Sequence, residues 1–169
     1  MGQRICIMGI SGSGKSTLAS QLGRKLKIPV YHLDRELLHG NFQKHSAEKQ
    51  QALHAQLVSG ENWVIDGDYR NLLPERLKRA TVIIFINTSR PTAIKRILQR
   101  YLTGNHVRAS IPEAAKNTLS WQLIWWTARY SRRQRLAALR ETLKQKPQIK
   151  LLVLGEGTIE DWVTQVTKK

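Results

Sequence analysis

At 169 residues the chain is long enough for one hydrophobic core and short for two, so a single domain over residues 1–169 is expected. Its 28 Lys and Arg against 12 Asp and Glu give a net charge of +16, which favours a polyanionic partner. One cysteine, Cys6, excludes an intrachain disulfide, and the longest apolar stretches, near Val82 to Ile86 and Leu151 to Leu154, are far too short to cross a bilayer.

Met1-Gly2-Gln3-Arg4 runs directly into Ile5-Cys6-Ile7-Met8, a short apolar run of the kind that forms a buried parallel strand. No signal-type segment precedes it, so a cytoplasmic location is expected, with Cys6 as a buried thiol. Gly9-Ile10-Ser11-Gly12-Ser13-Gly14-Lys15-Ser16 follows, a complete GxxxxGKS loop, and then Leu18, Leu22 and Leu26 recur at helical spacing. Pro29 to His32 reads as a second strand, with acidic Asp34 and Glu36 just beyond it. A helix over Ala47 to Val58 ends at Ser59-Gly60, and Trp63-Val64-Ile65 forms a third strand reaching Asp66-Gly67. After a short helix near Leu72 to Lys78 comes Thr81 to Ile86, β-branched and continuous, the clearest buried strand in the chain. Ile94, Ile97, Leu98 and Tyr101 mark the next helix, broken at Gly104-Asn105. Pro112 to Gln145 is predominantly helical, in one piece or two; Ile149 to Leu154 gives a fifth strand before Gly155, and a helix near Ile159 to Val166 follows.

This alternation predicts an α/β fold: a five-stranded parallel sheet joined by right-handed crossovers and covered by helices on both faces, a three-layer αβα sandwich. Ligands bind at the carboxyl ends of such strands. The loop, Asp34, Asp66 and Gly155 all follow predicted strands, so they are expected at one end of one sheet.

The loop is a phosphate cradle. Gly9, Ser11, Gly12, Ser13 and Gly14 let backbone N–H groups turn inward around a polyphosphate, and the helix N-terminus adds its partial positive charge. Lys15 reaches the β and γ phosphates of ATP, Ser16 holds Mg²⁺ and Thr17 contacts the α-phosphate region. Asp34 either takes the proton of an acceptor hydroxyl or caps the next helix.

Asp66-Gly67-Asp68-Tyr69-Arg70, with the loop, resembles the DG(F/Y) segment of adenylate kinase-like nucleoside monophosphate kinases. That resemblance implies a P-loop NTPase fold with a helical lid, here at about 101–125. It implies Asp66 near Mg²⁺ and Arg70 on the acceptor phosphate, although Asp68 stands where the family has a bulky residue. Arg96 and Arg100 match the family's helix-borne RxxxR pair, one arginine at the adenine or phosphates and the other at the transferring group. Over the whole chain the similarity extends to the bacterial topology modulation proteins, through His32-Leu33-Asp34, Asp66-Gly67-Asp68-Tyr69 and the stretch Trp121 to Arg135. Asp34-Arg35-Glu36 is also similar to the paired acids of shikimate kinase-like enzymes, which phosphorylate small hydroxylated metabolites.

Phosphoryl transfer needs charge neutralised around the γ-phosphoryl group, and arginines are the expected tools. Arg96 and Arg100 lie one turn apart, and Arg108 falls in the expected lid. Arg129, Arg132, Arg133 and Arg135 come from the returning helix, where 129, 132 and 133 share a face and 135 points elsewhere, so Arg129 and Arg132 are preferred. Arg35 and Arg70 are candidates for gripping a phosphorylated acceptor. Between Arg90 and Lys150, 14 Lys or Arg face only Glu113 and Glu141, so nucleic acid is a candidate partner there. Trp121, Trp125 and Trp126 could stack bases, but their spacing with Ile124 and Ala128 favours packing on the domain or on a second copy, leaving monomer and homodimer both open. The histidines lack metal-ligand spacing, and Mg²⁺ arriving with ATP is the metal inferred. Two readings emerge: a kinase passing the γ-phosphate of ATP to a small acceptor such as a nucleotide or nucleoside, or a nucleotide-gated regulator that binds nucleic acid.

Overall fold

A computed structural model of the chain describes residues 2–39, 43–103 and 121–168. Gly104, Asn105, Arg108, Pro112 and most of the 101–125 span expected as a lid lie outside the described residues.

Five strands, β1 (Arg4–Gly9), β2 (Val30–His32), β5 (Trp63–Asp66), β6 (Val82–Ile86) and β7 (Lys150–Leu154), form one parallel sheet in the order β2-β5-β1-β6-β7. Alternation along each strand feeds two cores. Cys6 and Met8 of β1, with Ile83 and Phe85 of β6, face one layer; Ile5 and Ile7, with Ile84 and Ile86, face the other. The first layer is closed by α2 (Leu33–Glu36) through Leu33, α3 (Ala47–Ser59) through Val58, α4 (Leu73–Arg79) through Leu77 and α7 (Arg132–Lys144) through Leu139 and Leu143. The second is closed by α1 (Lys15–Leu26) through Leu18 and Leu22 and by α8 (Ile159–Thr167) through Trp162 and Val163. The Cys6 thiol is fully buried, and desolvation pushes its pKa up to about 11, so it stays a neutral core group.

A hairpin and the direction of the basic helices' arginines depart from the sequence-based expectation. A small antiparallel hairpin, β3 (Leu38–His39) with β4 (Gln43–Lys44), follows α2; each arm has two residues, too few to show a period. The described part of the long basic helical region forms two pieces, the second of the two arrangements expected. After α5 (Arg90–Leu102), α6 (Trp121–Arg129) stops and α7 starts afresh at Arg132, with Ser131 as N-cap accepting from the Gln134 amide at 3.4 Å. The face once expected to unite Arg129, Arg132 and Arg133 therefore does not exist, because those residues sit on two separate helices.

Of the two packings expected for the α6 tryptophans, on the domain or on a second copy, the first does not form. Trp121, Trp125 and Trp126 are 76%, 54% and 66% exposed, whereas Trp63 and Trp162 are buried at 0% and 3%.

Candidate functional site

The GxxxxGKS loop joins β1 to α1 at the carboxyl edge of the sheet. Gly12 and Gly14 take left-handed backbone angles, φ 79° and 97°, which side-chain-bearing residues adopt at a cost. Gly12 is also pressed against α5: a Cβ there would lie 2.5 Å from the Ala93 carbonyl oxygen. Arg96, one turn along α5, donates from Nη1 to the Ser13 carbonyl at 3.3 Å. The Lys15 ammonium folds back over the loop, donating from Nζ to the Ile10 carbonyl at 2.9 Å. An arriving phosphate would replace that carbonyl as its partner. The Ser13 hydroxyl is buried without a hydrogen-bond partner among the described residues.

Beneath Lys15, the Ser16 hydroxyl donates to Asp66 Oδ2 at 2.6 Å. His32 Nδ1 lies 3.0 Å from the same oxygen, and its Nε2 is 3.5 Å from the Ser20 hydroxyl. Asp66 and His32 are both buried, so this carboxyl group is held by fixed protein partners. A hydroxyl and a carboxylate side by side at a phosphate loop fit Mg²⁺, which prefers few protein oxygens together with phosphate and water. Among the described residues no cluster of three or more His, Cys, Asp or Glu could hold a metal without such help.

Asp34 lies in the first turn of α2, whose N-cap is His32, so Asp34 is not the cap. Its Oδ1 instead accepts from the Tyr69 hydroxyl at 3.0 Å. Although the residue reaches solvent, crowding by protein desolvates the carboxyl and raises its pKa above the ordinary value; the Lys15 ammonium pulls it down and the Asp66 charge pushes it up. A carboxylate with increased proton affinity beside the Lys15 ammonium is suited to accept a proton. Burial likewise raises the Tyr69 phenol, which keeps it a donor.

Sequence reasoning missed the residue that shapes the next segment. Arg76 of α4 is fully buried and donates to the carbonyls of Gly67, at 2.8 Å from Nη1, and Tyr69, at 2.7 Å from Nη2. It splints the turn that presents Asp66, Tyr69 and Arg70. The available signal was its place beside Leu77 on the apolar face of a short helix. Gly67 itself, at φ 139°, passes within 2.9 Å of the Leu33 Cβ when a Cβ is added, so the turn also rests tightly on α2.

Asp68, out of place by comparison with the resembled kinases, has its own partners. Arg135 forms an ion pair with Oδ1, and the Tyr130 hydroxyl donates to Oδ2 at 3.1 Å. Arg135, the arginine expected to point away, is thus the one tied to the Asp66–Arg70 segment, because the helix break at Tyr130 and Ser131 resets its direction. Arg132 donates from Nη1 to the carbonyl of Asn87, just past β6, at 3.1 Å. Arg129 lays its guanidinium 4.2 Å from the ring centroid of Trp125. Arg35 is exposed on α2.

Two clefts border these elements. One, about 480 Å³, lies between the loop at Gly12 and Thr17, Arg96 and Arg100 of α5, and Gly157 and Thr158. Burial lowers the Arg100 pKa, as does the neighbouring Arg96 charge. Gly157 and Thr158 were not anticipated; Gly155, which was, leads to them. The other cleft, about 440 Å³, is bordered by Arg70, Trp125, Trp126, Arg129, Tyr130 and Arg135.

A parallel sheet in the order β2-β5-β1-β6-β7, helices on both faces and a phosphate loop after the central strand together define the P-loop kinase fold. The family profile described as AAA domain, AAA_18, matches residues 5–109, and the chain belongs to that family. Solved structures share the fold across nearly the whole chain. Shikimate kinase from Aquifex aeolicus vf5 is 22% identical, with 97% of this chain and 94% of that one covered and a TM-score of 0.58. Shikimate kinase from Bacteroides thetaiotaomicron is 16% identical, with coverage of 97% and 96% and a TM-score of 0.55. A gluconokinase from Sinorhizobium meliloti 1021 is 16% identical, with coverage of 97% and 88% and a TM-score of 0.56. At these identities the likeness establishes the fold alone. Among curated proteins, none matches.

Proposed function

We propose that this protein is an ATP-dependent kinase that transfers the γ-phosphoryl group to a hydroxyl of a small acceptor, a nucleoside or nucleotide among the candidates. The observation that carries this reading is the convergence of Lys15, Ser16, Asp66 and Asp34 at one sheet end, with Asp34 hydrogen-bonded to Tyr69 and raised in pKa. The loop amides and Lys15 hold the polyphosphate, with Arg96 and Arg100 along its adenosine side and Thr17 at the α-phosphate. Mg²⁺ bound with ATP, held by Ser16 and Asp66, would neutralise charge on the phosphates. Asp34 orients the acceptor hydroxyl and takes its proton; Arg129, Arg132 and Arg70 supply positive charge around the acceptor. The solved structures' names, shikimate kinase and gluconokinase, agree with a hydroxyl acceptor.

A kinase of this type, in the cytoplasm and with no membrane partner, should consume ATP faster when the right acceptor is added. Screening ATP consumption over nucleosides, nucleoside monophosphates and small hydroxylated compounds tests it, with Lys15→Ala as control; no stimulation by any hydroxylated compound would sink the reading. The second reading, a nucleic-acid-binding regulator of the topology modulation type, draws on the exposed tryptophans and the basic region 90–150. It expects salt-sensitive binding without transfer.

A further inference from the structure

We infer that the nucleoside taken as acceptor is the terminal one of a single-stranded nucleic acid, DNA or RNA, whose strand is seated in the cleft between Arg70 and α6; this rests on the kinase reading above and extends its small acceptor to the end of a strand. Three observations converge on it.

The first is the set of exposed rings. A soluble domain seldom leaves three large indoles in solvent on nine residues of helix, yet Trp121, Trp125 and Trp126 of α6 are 76%, 54% and 66% exposed. Two of them, Trp125 and Trp126, border the cleft. Every nucleobase offers a π-face, so such rings bind bases without regard to sequence.

The second is charge. Arg70, Arg129 and Arg135 border the same cleft, and Arg129 is already stacked on Trp125, so cation and ring alternate as a strand's phosphates and bases do. Three arginines bordering one cleft suit phosphate groups, and the stretch from Arg90 to Lys150, with 14 Lys or Arg against two Glu, adds a positive field at longer range. Such a field also argues against an apolar protein partner on this face.

The third is continuity with the chemistry. Asp68 is bonded to Tyr130 and Arg135 in the cleft wall, and its neighbour Tyr69 is bonded to Asp34 beside Lys15. The turn from Asp68 to Arg70 therefore joins the cleft wall to the hydroxyl that holds Asp34. The terminal hydroxyl oxygen forms a bond to the γ-phosphorus as the bond from that phosphorus to the β-bridging oxygen breaks. ADP leaves with the electron pair, and the hydroxyl proton passes to Asp34 and then to solvent. No further reactant is needed.

The test supplies the full chain with γ-labelled ATP, Mg²⁺ and eight-nucleotide single strands, DNA or RNA, with either the 5′ or the 3′ hydroxyl blocked. The expected result is label on one open end, with kcat/KM at least tenfold above that for the free nucleoside; the four arms identify sugar and terminus. Tryptophan fluorescence should be quenched on strand binding, since the three exposed indoles report and the two buried ones do not. The paired substitution Trp125→Ala with Trp126→Ala should raise the strand KM about tenfold or more. ATP affinity of that variant, measured by calorimetry, serves as its folding control. Label on free nucleosides or small hydroxylated compounds but on no strand overturns the inference and leaves the kinase reading standing. Strand binding without label overturns it in favour of the regulator. Failure to bind ATP sinks both, and a strand KM unmoved by the paired substitution removes the stacking platform.

Discussion

The carboxyl end of the sheet and the α6–α7 region are built differently. On the sheet side, Ser16, Asp66, His32 and Arg76 are fixed by short hydrogen bonds, most of them to buried partners. On the α6–α7 side, the arginines lie over a ring, a backbone carbonyl or one carboxylate, and large indoles stand in solvent. Phosphates and Mg²⁺ are the same in every ATP, so a rigid, preorganised receptor suits them. Acceptors vary, and long side chains on a separate helix pair can be changed without disturbing the core.

This contrast predicts a gradient of effects. Lys15→Ala should reduce transfer by roughly 10³-fold, since one positive charge on the transferring phosphates is lost. Circular dichroism and thermal unfolding should stay near wild type, and a comparable collapse of the fold would break the distinction between rigid receptor and core.

Asp34→Asn should lower kcat by about 10²-fold or more if this carboxylate takes the proton. In the native protein the rate should fall as acidification protonates Asp34, and because its pKa is raised, that limb should lie above the ordinary carboxylate range of about 4. The variant should lose the limb; retention of it would hand the role to another group.

Acid should weaken the sheet side. His54 is buried at 1% exposure, and desolvation lowers its pKa to about 4, with the Arg76 charge lowering it further. The unfolded chain binds a proton near pH 6.5 that the folded chain refuses, so stability is complete above that pH and declines toward pH 4. The loss should approach roughly 3 kcal/mol, and His54→Gln should flatten this part of the urea-unfolding profile.

The smallest effect belongs to the other side. Asp68→Asn removes the charge facing Arg135 and should cost about 1 kcal/mol in stability, given their partial burial. Its larger consequence should be on acceptor KM, with ATP affinity as wild type; a change in ATP affinity instead would merge the two sides.

Most of the sheet and the loop could be read from the chain because they are local: β-branched runs, leucines at helical spacing and a contiguous octapeptide. Asp66 and Asp34 were found because each follows a strand. What escaped depends on residues far apart in sequence. The His32–Asp66 contact spans 34 positions and the Arg135–Asp68 pair 67, and neither leaves a periodic trace. Arg76 was overlooked because a buried arginine contradicts the usual polarity rule, and its two carbonyl partners are invisible in sequence. The break at Tyr130 and Ser131 contains no Gly or Pro. Ser131 followed by Gln134 carries the capping signature that could have revealed it.

Gly12 abuts the Ala93 carbonyl with no room for even one methyl group, and Arg96 is bonded across the same seam. The cradle and the helix beside it consequently travel as a single casting. The indole-bearing arm is fastened to that casting as well, since α6 packs on α5 and Arg90 donates from Nε to the Tyr130 carbonyl at 2.8 Å. Evolution can retune that arm for new cargo while the anvil stays fixed.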